Sequence, residues 1–340
     1  DTARLIQKVD IMPSNGGFEN YDGNSFPGFG IDKPGEISFV DTDVKHSGGA
    51  SIRFQDFQTH DPGRGYGRII YTANVKPFTL YHVSGWVKTE NFSPVSNVRT
   101  YADGKTGNCA YYSASVPSTT EGWQKIDYTV NSMNNDVVYF YWGVWQAQSG
   151  KIWWDDLKIK EIPFINILRR EGTPLTVTNT SESKTYTEGV DFDTLRDPLL
   201  GNDSPKLWTK YHEIPDFKIL SGGGINNGDT VLVSYYHAGK IAGKLNITLS
   251  DQKTYDILEK NFITVDSIMD SDRYFLITDE IRTMNWDYGD QSRNLKPAEI
   301  LADAVHKCLG IIDEHSPGAE YWAWSDMFDE YHNAVEGDYY

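Results

Sequence analysis

Along residues 1–162, apolar and polar positions alternate in short runs broken by turn-forming clusters. "ASIRFQDF" (50–57), "YHVSGWVKT" (81–89), "GWQKIDYTV" (122–130), "VVYFYWGVW" (137–145) and "KIWWDDLKIK" (151–160) carry the period of two that a half-buried strand needs. "NSFPGFG", "KHSGGA", "DPGRGYG" and "MNND" separate them. Strands at this spacing predict an all-β sandwich or jelly roll. Over residues 163–239 the pattern predicts a small β-rich connector. "PLTVTNTSESKTYTEGVDF" reads as a hairpin pair, and "INNGDTVLVSYYHA" holds an Asn-Gly turn feeding a strand.

From residue 240 the period changes. "DQKTYDILEKNFITVDSIM" sets Tyr255, Leu258, Phe262 and Val265 at helical spacing, with Asp251 as N-cap. "RYFLITDE" is a strand. "KPAEILADAVHKCLGIIDEHSPG" is a helix with Pro297 in its first turn and Ile300, Leu301, Ala304, Val305, Cys308 and Ile311 on one stripe. "AEYWAWSDMF" is another strand. Strand and helix in alternation is the grammar of a parallel sheet, so residues 240–340 predict a partial α/β, TIM-barrel-like region. The fold class expected is therefore multidomain: a jelly-roll sandwich, a β connector and part of a (β/α) barrel. A whole barrel takes about 250 residues. A partial one leaves open sheet edges, and a second copy of the chain closing it is one solution.

Composition narrows the function. A net charge of −17 argues against nucleic acid and against an anionic membrane surface, both of which select clustered Lys and Arg. No apolar run reaches the length of a spanning helix. The sequence begins at Asp1 rather than Met, which leaves secretion, or another extracytoplasmic location, as an expectation. Cys109 and Cys308 fall in different predicted regions, so no disulfide is expected. With 10 Trp and 21 Tyr, the chain is rich in flat apolar rings of the kind that stack on sugars or fill β cores.

"NGGFEN" (15–20), "HSGGASIRF" (46–54), "GWVKT" (85–89), "GWQKIDYTV" (122–130) and "IWWDDLKI" (152–159), in this order, resemble a jelly-roll carbohydrate-binding module of the group that includes families four, nine and twenty-two. The resemblance covers nearly all of residues 12–162. It implies polysaccharide or oligosaccharide as partner and a structural Ca2+, which takes hard oxygen ligands. Glu19, Asp155 and carbonyls at Ser47 and Gly48 are the candidate ligands. By the period of two, Asp155 shares the core-facing direction of Leu157 and Ile159, and an inward carboxylate needs a cation or donors. The competing reading gives Asp155 backbone amides at a loop. In "VVYFYWGVW", Val138, Phe140, Trp142 and Val144 form one face. Tyr139, Tyr141 and Trp145 form the other and are the candidate sugar platform, with Tyr101, Tyr111 and Tyr112 available to join. Packing of Tyr139 and Tyr141 beneath the connector is the alternative. Trp86, Trp123 and Trp142 are expected in the core.

Three strands end in polar clusters: at His237, at Asp279 and Glu280, and at Ser325 and Asp326. The carboxyl edge of a βα sheet is where functional residues collect. "DEIR" followed by "WSDMFDxxHNA" resembles an uncharacterised barrel group whose adjacent Asp-Glu is of the hexosaminidase type. The resemblance implies a glycoside hydrolase with Glu280 as acid, Asp279 as its orienter and Asp326 as a second carboxylate. His237, Trp286, His332 and Asn333 are candidate sugar contacts. The alternatives are a non-catalytic carbohydrate-binding protein or a fragment whose βα part is scaffold or dimer surface. An adhesion protein using the module for contacts is a third reading.

Overall fold

In the computed structural model the described residues are 11–331, apart from 13, 106, 170–172, 200–209, 239, 242–243, 246, 277, 280, 282–283, 286–287 and 330. The chain divides into two compact units, Asp1–Leu168 with Leu175–Lys244, and Arg169–Pro174 with Leu245–Tyr340.

The first unit is built on β1 (Gly30–Ile31), β2 (Ser38–Asp41), β3 (Ser51–Phe54), the single turn α1 (Phe57–His60), β4 (Gly67–Asn74), β5 (Leu80–Ser93), β6 (Val98–Gly104), β7 (Gly107–Ser113), β8 (Gln124–Asn131), β9 (Val137–Val144) and β10 (Ser149–Glu161). One antiparallel sheet runs β1-β4-β9-β6-β7 and the other β2-β3-β10-β5-β8. The chain crosses repeatedly between them, giving a sandwich of jelly-roll topology. The alternation in the sequence places the core as expected. Val138, Phe140, Trp142 and Val144 of β9 are fully buried, as are Ile152 and Trp154 of β10 and Val83 and Val87 of β5. Each such side chain contributes roughly 1.5–3 kcal/mol on leaving water.

The connector belongs to the same unit. β11 (Thr176–Asn179) pairs antiparallel with both β12 (Thr185–Tyr186) and β13 (Val231–Ser234). Phe164, Ile167, Val177, Phe192, Leu195 and Phe217 form its own small core. It rests on the β5/β8 side of the sandwich. The Tyr211 ring stacks on His82 at 3.6 Å, the Thr129 hydroxyl donates to Lys210 O at 3.1 Å, and Asn131 Nδ2 donates to His237 Nε2 at 2.8 Å. β14 (Lys240–Ile241) and β15 (Lys244–Leu245) pair with each other.

The second unit contains α2 (Gln252–Met269), β16 (Arg273–Leu276), α3 (Tyr288–Ser292), α4 (Pro297–His315) and β17 (Glu320–Ala323). Asp251 caps α2 by accepting Lys253 N–H at 3.0 Å. Glu299 Oε2 accepts Lys296 N–H at 2.8 Å at the start of α4. β16 and β17 are parallel, with Arg273 opposite Glu320 and Leu276 opposite Ala323. The expected TIM-barrel-like region is thus a single parallel strand pair with its helices among the described residues, and no barrel closes. Ile300, Leu301, Met284 and Met327 form its small core. α2 forms as its spacing predicts, but its four spaced apolar residues are not covered alike. Leu258 and Val265 are exposed, while Tyr255 is buried and Phe262 half-buried. Ile257, Ile263, Ile268, Phe275, Trp322 and Trp324 are exposed as well. Parallel strands are ordinarily covered on both faces, and among the described residues this pair keeps exposed apolar side chains.

Candidate functional site

The outer face of the β1-β4-β9-β6-β7 sheet gathers aromatic and charged side chains by register. Core-facing Ile69, Val98, Ala102 and Phe140 leave their neighbours pointing outward. One cross-strand row reads Ile70, Tyr141, Tyr101, Tyr111 on β4, β9, β6 and β7. On one side lies a row with Thr72, Tyr139 and Asp103. On the other lies Arg68, Gly143, Arg99 and Ser113. Tyr101 and Tyr141 stack at 4.2 Å between ring centroids, Tyr101 and Tyr111 at 6.2 Å, and Trp145 tilts against Tyr101 at 5.1 Å.

This geometry refines the expected platform. Tyr139, Tyr141 and Trp145 do share the open face, and Tyr101 and Tyr111 join them. Tyr112 does not: it is buried, 3% exposed, on the core side of β7. Because Tyr101 and Tyr141 cover each other's faces, they present ring edges and phenol groups rather than two free ring faces. Tyr139, 38% exposed, supplies the open ring. Burial raises the pKa of Tyr101, with Tyr141 and Asp103 adding to it, and burial followed by Asp103 raises that of Tyr141. Both phenols therefore stay protonated and serve as hydrogen-bond donors and acceptors. Among the described residues the connector meets β5 and β8 of the opposite sheet and, through Lys210 over the Tyr112 ring, β7; neither Tyr139 nor Tyr141 takes part in these contacts.

Trp142 is core as expected, but Trp86 and Trp123 are half-buried. The His46 ring stacks on Trp86 at 4.0 Å and meets Trp123 edge-on at 5.8 Å.

The expected calcium residues converge on the loop at 46–49. Asp155 Oδ2 accepts His46 N–H at 2.7 Å and Ser47 N–H at 3.2 Å, and Oδ1 accepts Asp156 N–H at 2.7 Å. Glu19 Oε2 accepts Gly49 N–H at 2.7 Å. Gly48 sits at φ 60°, and a Cβ there would lie 1.8 Å from Glu19 Oε1. Asp155 is fully buried, and burial pushes its pKa up to about 6, with Asp156 adding repulsion and the three amides opposing. Its direction departs from the expectation. The β10–β5 pairing skips between Asp155 and Lys158, and Asp156 lies at φ 48°. Before that bulge Ile152 and Trp154 face the core, and after it Leu157 and Ile159 do. Asp155 therefore shares a face with Trp153 and is buried under the loop, not between the sheets.

Two carboxylates against a glycine-bearing loop are a hard-oxygen set that suits Ca2+. The side chains alone do not complete it. Among the described residues, the acidic and histidine side chains with ligand atoms all within 4.8 Å are Glu259, Glu314 and His315, in the second unit. A cation between Glu19 and Asp155 would take its remaining ligands from loop carbonyls such as those of Ser47 and Gly48.

The acid cluster is only partly visible. Glu280, Trp286, His332 and Asn333 lie outside the described residues. Asp279, exposed, and Asp326, half-buried, each stand three positions beyond the last paired residues of β16 and β17. Parallel register thus puts both at the same edge of the pair. His237 is corrected. It follows an antiparallel connector strand in the first unit, bridges to Ile167, accepts from Asn131 and lies 3.2 Å through Nδ1 from Ala238 O. Burial lowers its pKa, which favours the neutral imidazole.

No family model and no curated protein matches the sequence. Similar solved structures include TmCBM61 in complex with β-1,4-galactotriose, 14% identical with a TM-score of 0.34, covering 45% of this chain and 99% of that one. The CBM22-1 xylan-binding domain from Paenibacillus barcinonensis Xyn10C is 13% identical, TM-score 0.34, covering 46% of this chain and 97% of that one. A cyclase from Fischerella sp. TAU is 14% identical, TM-score 0.37, covering 46% and 98%. Likeness at this level carries no functional argument, and binding modules and cyclases stand side by side in it.

Proposed function

We propose that the first unit binds a polysaccharide on the outer face of the β1-β4-β9-β6-β7 sheet. The observation that supports this is the one field of rings on that face, Tyr139 exposed and Tyr141, Tyr101, Tyr111 and Trp145 half-buried, flanked by Asp103 and two arginines. Rings supply apolar contact to a pyranose, and the phenols and charged groups supply partners for its hydroxyls. The sandwich core does not need these five rings on its solvent side. Retention on gels containing plant or microbial polysaccharides tests the reading. Tyr139→Ala and Tyr141→Ala are expected to abolish retardation while Tyr211→Ala, on the opposite face, leaves it. Equal retardation in all three variants sinks the assignment.

A structural Ca2+ held by Glu19, Asp155 and the carbonyls of Ser47 and Gly48 belongs to the same reading. It would pin the 46–49 loop against β10 and offset the buried Asp155 charge. Its role is support, since the open face lies on the other sheet.

A second reading gives the second unit glycosidic bond hydrolysis, with Glu280 as acid, Asp279 as orienter and Asp326 as partner carboxylate. The common strand edge shared by Asp279 and Asp326 favours it. Loss of reducing-sugar release in Glu280→Gln, with polysaccharide binding retained, is the expected result. Wild-type release unaffected by that change removes Glu280 from the chemistry. Polysaccharide recognition of this kind fits a secreted or extracytoplasmic protein.

A further inference from the structure

The row beside the tyrosines holds a charge without a counter-ion among the described residues. Arg68 and Arg99 flank Gly143 across three adjacent strands. Gly143 cannot carry a side chain, because a Cβ there would meet Gly67 O at 2.3 Å. The row is therefore a notch with a guanidinium on either side. Arg68 is already neutralised: its Nε and Nη2 donate to Asp32 at 2.7 and 3.0 Å, and it lies over Tyr66. Arg99 is not. Among the described residues it makes no ion pair. Its Nη2 makes one long bond of 3.4 Å to the neutral Asn97 Oδ1, its Nε is buried without a hydrogen-bond partner, and its guanidinium lies over Tyr111 at 5.4 Å.

The chain has 48 acidic residues to 31 basic ones, so a carboxylate partner for an arginine is abundant. An arginine left without one, next to a ring-lined face, is placed for a charge that arrives from outside. Its planar fork matches a carboxylate, and its cation–π contact with Tyr111 keeps it beside the ring row. The other end of the same face carries Asp103, four positions along β6, so the binding carboxylate is taken at the Arg99 end.

We propose that the open face selects an acidic glycan, with a uronate carboxylate on Arg99, its hydroxyls on the Tyr101 and Tyr141 phenols and apolar contact on the open Tyr139 ring. The inference rests on the glycan-binding reading above. It assigns a substrate class that the rings alone do not specify, because an aromatic face accepts neutral and acidic pyranoses alike.

The test is calorimetric titration of the full chain with an oligouronate and with the same oligomer fully methyl-esterified, so that only the charge differs. The acid is expected to bind about tenfold tighter, an advantage that shrinks with added salt. Arg99→Gln should bring the acid to the level of the ester and leave ester affinity within about twofold. Arg99→Lys, which keeps the charge but not the fork, should fall between. Equal affinity of the wild type for acid and ester, or an Arg99→Gln change that weakens both alike, overturns the proposal. Those results leave the underlying reading intact if Tyr139→Ala and Tyr141→Ala still weaken ester binding. Tyrosine variants that change neither ligand sink the reading itself. An unchanged melting temperature in Arg99→Gln confirms that lost affinity is not lost fold.

Discussion

Gly48→Ala probes the loop that joins Glu19 to the Asp155 strand. Two costs follow from the structure. Gly48 sits at φ 60°, where an L side chain is strained by about 1–2 kcal/mol. The new Cβ would also fall 1.8 Å from Glu19 Oε1, so the carboxylate must leave. That breaks its 2.7 Å bond from Gly49 N–H, a charge-assisted contact worth roughly 1.5–3 kcal/mol when protected. The amide is near solvent and water replaces part of the loss, which puts the sum at about 2–3 kcal/mol. For a unit of this size that is a fall in Tm of roughly 4–12 °C. Thermal unfolding with excess chelator measures this part alone. With Ca2+ the wild type should gain stability by mass action, and the variant should gain much less because one ligand has been displaced. A Gly48→Ala protein within about 0.5 kcal/mol of the wild type in chelator would show that Glu19 does not hold the loop as described. An equal calcium response in both would show that the cation does not sit against Glu19.

Asp41 predicts the acid limb of stability. Burial raises its pKa, but the Trp153 indole N–H, the amides of Val44 and Asp43 and the Arg53 charge together outweigh burial and hold it below the ordinary carboxylate value. A depressed pKa contributes stability above the unfolded value of about 3.9, and that contribution is lost as pH falls through the folded one. Asp41→Asn should therefore be less stable than the wild type at neutral pH, with the gap closing below about pH 4; a gap that persists there in urea titrations contradicts the linkage. Gly143→Ala should cost about 2–3 kcal/mol, because the Cβ meets β4 backbone and not a movable tip, and an unchanged denaturation midpoint would refute that packing. His237→Ala should destabilise the first unit by about 1–2 kcal/mol by leaving Asn131 Nδ2 without its acceptor, with sugar affinity unchanged; lost affinity with unchanged stability would return His237 to the sugar contacts.

The period of two was enough to place the sandwich core, because each strand there has one wet face and one dry face. It placed Val138, Phe140, Trp142 and Val144 inside and Tyr139 and Tyr141 outside without reference to any other strand. It failed at Asp155 for a local reason. A bulge at Asp156 reverses the alternation, and the residue that signals it, a non-glycine at positive φ, has no distinctive composition. On α2 the helical period gave the helix and its Asp251 cap but not which spaced residues are covered, for a long-range reason. Leu258 and Val265 are left exposed among the described residues, while Tyr255 and Phe262 turn toward the unit's interior. Spacing says which residues share a face but not which face finds cover.

The open face shows the same division between what one strand specifies and what pairing adds. "NVRTYADG" already separates Val98, Thr100 and Ala102 from Arg99, Tyr101 and Asp103. Nothing in that octapeptide says that Arg99 stands opposite Gly143, about forty positions away, or that Tyr101 stands between Tyr111 and Tyr141. Those alignments come from the antiparallel register of β6 with both β7 and β9. A one-residue slip would send every one of these side chains to the core. The burial of Val98, Ala102, Phe140 and Trp142 therefore does two things with one set of contacts. It holds the sandwich together, and by fixing register it sets the guanidinium, the ring row and the acid of Asp103 in order across the face.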